Sequence, residues 1–118
     1  MKYLELSAIA QHLQQFSTIT QIYRIENNTI LIEFNKQKTF FFDMTKSNST
    51  IYMQDNHQRG HYYQAPFDIT LHKKVMRSQI KTIQVLKKDK VLQIDLIGKS
   101  SYKKEQTRLQ FVCFPVNS

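Results

Sequence analysis

The chain has 118 residues and a net charge of +8, with 41% hydrophobic and 12% aromatic residues but only two glycines and two prolines. That length fits one domain, expected to span 1–118 and to bury roughly two-thirds of its unfolded surface, and the composition excludes a disordered tail. No window approaches the ~18 apolar residues of a membrane helix, and Glu5, Gln11 and His12 interrupt the apolar run a secretory leader needs, so a cytoplasmic protein without membrane association is expected.

Leu6, Ile9, Ala10, Leu13 and Phe16 recur at helical spacing, which predicts an amphipathic helix over Tyr3 to Phe16 with Glu5, Gln11 and Gln15 facing water. Two β-rich runs, Ile19 to Glu26 and Thr29 to Asn35, flank Asn27-Asn28, a dipeptide that tolerates positive φ and so predicts a hairpin. Lys36-Gln37 turns the chain into KTFFFDM, where Phe40, Phe41 and Phe42 predict a strand buried on both faces and complete a three-stranded meander. The polar stretch from Lys46 to Gln64 reads as a loop holding a short strand at Thr50 to Met53.

Pro66 opens FDITLHKKVM, in which Phe67, Ile69, Leu71 and Val75 outline a short second helix, with Lys73, Lys74 and Arg77 on its outer face. Period-two alternation then returns: Ile80 to Val85 and Leu92 to Leu96 form a hairpin joined by Lys87-Lys88-Asp89-Lys90, followed by a third strand over Thr107 to Val116. The single cysteine, Cys113, lies among Phe111, Val112 and Phe114 and reads as a packed thiol in a reducing compartment. The predicted class is therefore α+β, an antiparallel sheet or sandwich with two helices.

The charge is unevenly placed. Residues 1–72 carry equal numbers of acids and bases, whereas from Lys73 to Arg108 eleven basic residues meet only Asp89, Asp95 and Glu105, so the whole excess falls there. A clustered field of this kind favours a polyanion, nucleic acid first. Lys73, Lys74, Arg77, Lys87, Lys88 and Lys90 are the candidate phosphate contacts, converging on one patch around the hairpin tip. Asp89 stands among these cations to orient them, to accept a hydrogen bond from a base or 2′-hydroxyl, or to cap the turn.

Other motifs are sparse. His57 and His61 have the four-residue spacing of helical metal ligands, but Gly60 and the polar surroundings predict a plain loop and no metal. Tyr62 and Tyr63 beside Arg59 read either as base-stacking residues or as packing residues. No phosphate-binding glycine loop, paired catalytic carboxylates or nucleophile triad is present, so neither an enzyme nor a cofactor is expected.

The order of LELSAIAQHL, PFDITLHKKVM and QIKTIQVLKKDKVLQIDL resembles the N-terminal domain of the NFACT family, ribosome quality-control factors often called fibronectin-binding proteins in bacteria. Phe67, Leu71 to Lys74, Ile80 to Val85 and Asp89 to Leu92 follow the order of the family's phenylalanine, basic helix, strand and Asp-Arg-led strand. The resemblance implies a fold similar to the N-terminal domain of formamidopyrimidine-DNA glycosylases. Its implied partners are transfer RNA and the RNA of the large ribosomal subunit. It places the family's Asp-Arg pair on Asp89 and Lys90, and its acidic first-helix position near Glu5. Lys90 stands where the family has arginine, exchanging a planar fork for a point charge. Met1-Lys2 lacks the proline amine that glycosylases use, which excludes their chemistry. The chain stops before the family's Gly-Lys-His-Ser-Asn-like segment and coiled coils, so part of a longer architecture is expected. Alternatives are a fibronectin-binding interaction module and an inactive fragment.

Overall fold

The computed structural model describes residues 1–54, 63–86, 89–99 and 104–114. Helix α1 (Tyr3–Leu13) buries Leu6, Ala10 and Leu13. It is shorter than its periodicity predicts, because Phe16 already bonds back to Leu13 through a tight turn (N···O 3.1 Å). Phe16 is nevertheless buried, stacked on Phe34 at 5.1 Å between ring centroids.

Strands β1 (Ile19–Glu26), β2 (Thr29–Phe34), β3 (Lys38–Asp43) and β4 (Thr50–Met53) form an antiparallel four-stranded sheet in that order. The expected three-stranded meander thus gains β4 through the register Asp43–Thr50 to Phe40–Met53. Positive φ occurs at the second turn, not the first. Asn35 and Lys36 both have φ 56°, and Gln37 N–H bonds Phe34 O at 2.9 Å, the mirror-image turn whose twist matches its strands. The Asn35 side chain also accepts hydrogen bonds from Ser17 N and Thr18 N, which explains why asparagine is spent here.

Helix α2 (Pro66–Val75) leads into β5 (Gln79–Leu86), β6 (Val91–Lys99) and β7 (Lys104–Val112), a second antiparallel sheet. Strand β7 begins and ends a few residues earlier than expected, and Cys113 N–H bonds Lys90 O beyond its end. The apolar faces of the two sheets meet in one core, where Phe42 stacks on Phe111 at 4.5 Å. Phe40 and Phe42 face that core while Phe41 packs on Tyr52 on the opposite face, so the triple phenylalanine is buried on both sides as expected. Cys113 is fully buried, and burial raises its thiol pKa.

The sheets are stitched where β1 and β5 begin. Arg77 N–H bonds Ile19 O (2.8 Å), Ile19 N–H bonds Ser78 O (3.0 Å) and Ile80 N–H bonds Ser17 O (2.7 Å). Helix α1 packs along β5, and α2 packs on β1 and touches β6. No helix among the described residues is long and apolar enough to cross a membrane.

Candidate nucleic-acid interface

The buried stripe of α2 is Asp68, Leu71 and Val75. Phe67 and Ile69, expected inside, are 56% and 59% exposed. A carboxylate takes an inward position because β1 supplies its partner. Arg24 Nε and one terminal nitrogen donate to the two oxygens of Asp68, both at 2.7 Å. Asp68 also accepts from Ala65 N–H at 3.0 Å, closing the first helical turn. The Arg24 side chain is 22% exposed and that of Asp68 only 6%. The charge-assisted bond to Arg24 holds the Asp68 carboxyl below its ordinary pKa, and the same bond raises that of Arg24.

With that joint fixed, Lys73 and Lys74 emerge exposed from the last turn of α2. Arg77 is also exposed, but it lies past the helix end at φ 64°, in the left-handed region where glycine is preferred. Lys73 and Lys74 line an open cleft of about 510 Å³ with Ser78, Gly98 and Glu105. Among the described residues no carboxylate forms an ion pair with Lys73, Lys74 or Arg77.

The other expected site residues lie elsewhere. Lys87 and Lys88 are outside the described residues. Asp89 is exposed at the tip of the β5–β6 hairpin, its N–H bonded to Leu86 O. Lys90 does not face solvent. It is 3% exposed, has φ 49°, and donates from Nζ to Met1 O at 2.9 Å. Glu5 is exposed one turn into α1, bordering a cleft of about 430 Å³ with Met1, Lys2 and Asn48.

These placements correct the expectation of a single patch. Asp89, Lys90 and Glu5 gather at one end of the molecule, near Met1. Lys73, Lys74 and Arg77 sit at the other, where β5 begins. The eight residues of β5 separate the two ends by about 23 Å.

A second cleft, of about 370 Å³, opens between β1 and α2, with Ile22, Tyr23, Arg24, Tyr63, His72 and Lys73 among its walls. The Tyr23 and His72 rings lie 5.3 Å apart at 40°, and the Arg24 guanidinium sits 4.4 Å over the Tyr63 ring. Tyr63 was legible as a stacking candidate, but Arg24 is its cationic neighbour. Arg59, Tyr62, His57 and His61 lie outside the described residues. Tyr23, Arg24, Asp68 and His72 were missed as site residues, because a strand and a helix 44 positions apart offer no common motif.

No protein-family model and no curated protein matches the chain. Several solved structures do, among them these two. The N-terminal domain of fibronectin-binding protein PavA from Streptococcus pneumoniae superposes with a TM-score of 0.74 at 14% identity, over 92% of this chain and 44% of that one. The fibrinogen-binding protein from Staphylococcus aureus superposes with a TM-score of 0.67 at 18% identity, over 93% and 41%. This chain therefore spans less than half the length of either, and at such identity the likeness is one of fold. The α+β architecture expected from the sequence is the one these two structures share.

Proposed function

We propose that this chain binds RNA through the C-terminal end of α2, without catalysis, and that transfer RNA and large-subunit ribosomal RNA are its targets, as the resemblance of the sequence to NFACT N-terminal domains implies. The observation that carries the reading is the trio Lys73, Lys74 and Arg77, exposed at and just past the C-terminal end of α2 without a carboxylate partner among the described residues. Favourable contact with the helix dipole accounts for the two lysines by a few tenths of a kcal/mol each, but it does not explain an arginine held at positive φ.

Three phosphate contacts give a slope of log affinity against log salt of roughly −2 to −3. Titrating labelled transfer RNA over a salt series should return that slope. The triple variant Lys73→Gln, Lys74→Gln, Arg77→Gln should bring it close to zero, and a parent slope near zero overturns the reading.

A second reading, a protein-interaction module, draws on the two neighbours named for binding fibronectin and fibrinogen and on the exposed Phe67 and Ile69. It predicts salt-insensitive binding to immobilised fibronectin or fibrinogen that Phe67→Ser and Ile69→Ser abolish.

A further inference from the structure

We infer that the cleft between β1 and α2 receives one unpaired base of a single-stranded nucleic acid, whose neighbouring phosphate lies on Lys73; this rests on the reading of α2 as a phosphate-binding surface. Lys73 lines both this cleft and the open cleft around Lys74, so a strand held on the α2 cations passes the mouth of the smaller one. The cleft's volume of about 370 Å³ lies within the range of small-ligand sites and suits a flat heterocycle. Its walls are the rings of Tyr23, Tyr63 and His72 with the aliphatic Ile22 and Ile69, which offer stacking faces without sequence demand.

The polar group is held in advance. Oδ1 of Asp68 accepts from Arg24 Nε, while Oδ2 accepts from both Arg24 and Ala65 N–H. The Asp68 backbone N–H also favours the carboxylate, so its acceptor positions are filled from within and the pair forms a charge-balanced floor under the rings. Arg24, fixed by Asp68 below and covered by Tyr63, neutralises the carboxylate and keeps the cleft from repelling a polyanion. With its floor already paired, the cleft selects its occupant by the flat faces of its rings and by the phosphate contact on Lys73.

The test compares a ten-nucleotide adenylate RNA with an abasic ribose-phosphate decamer of equal charge, in a salt series, on the parent chain and on His72→Ala and Tyr63→Leu. His72 is exposed, so its truncation leaves the core intact, and thermal melting of both variants checks the fold. The adenylate decamer should bind at least about fivefold more tightly than the abasic one with the same salt slope. His72→Ala and Tyr63→Leu should each narrow that gap without altering the slope. Equal binding of the two decamers with a slope of roughly −2 to −3 overturns the base cleft and leaves the α2 reading standing. Failure of both to bind, or a slope near zero, overturns both. A DNA decamer binding as tightly as the RNA supports the base cleft and counts against a 2′-hydroxyl contact there.

Discussion

Arg77 occupies the position past a helix end where glycine is the usual choice, and it does so at φ 64° with its side chain in solvent. A left-handed conformation costs an L-residue about 1–2 kcal/mol, of which replacement by glycine recovers part, since the unfolded chain also gains freedom. Arg77→Gly should therefore raise stability by about 0.5–1 kcal/mol, or about 2–4 °C in Tm. The same variant should lower RNA affinity and reduce the salt slope by about 0.7–0.9. Calorimetry and a salt titration on one preparation check both signs. A lower Tm would show that the guanidinium serves the turn, in which case its retention says nothing of binding.

At the scale of elements, the Arg24–Asp68 pair docks the first turn of α2 on β1 and so aims every cation that follows. Because the folded carboxyl titrates below its unfolded value, its contribution is fully present above about pH 4 and is lost as pH falls through the depressed folded value. Asp95 behaves likewise, its pKa lowered chiefly by the hydrogen bond from Arg108, so stability measured by urea should decline through the acid range on account of both. Asp68→Asn keeps an acceptor for Ala65 N–H but loses the ion pair. It should cost about 1–3 kcal/mol at pH 7 and progressively less toward pH 3. A cost independent of pH would show that the carboxylate acts only as a helix cap.

At the scale of the whole molecule, the helix end and the hairpin end lie at opposite ends of β5, whose eight residues extend about 23 Å, more than twice the Debye length at physiological salt. The two ends should therefore act independently. Lys90→Ala leaves the Met1 carbonyl without the Nζ donor and should destabilise the fold by about 1–3 kcal/mol without changing the salt slope. Lys73→Gln should change the slope and leave stability nearly unaltered, and the double variant should show the sum of the two effects. A slope that falls with Lys90→Ala would return Lys90 to the interface.

The elements were legible in the sequence because each rests on a local period: α1 from Leu6, Ala10 and Leu13, β3 from its phenylalanines, and the β5–β6 hairpin from the alternation on either side of Asp89. Composition located the charge in the last third of the chain. What the sequence does not contain is direction at elements whose partners are distant. Asp68 turns inward and Phe67 outward because Arg24 lies across the β1–α2 contact. Lys90 turns inward because Met1 O meets its amine from 89 positions away. A period states which residues share a face, but only the packed chain decides which charges find partners there, since the desolvation of a buried ion is offset by groups that tertiary contact brings near. For that reason the helix-end cations, the divided charge and the aromatic cleft emerged with the fold.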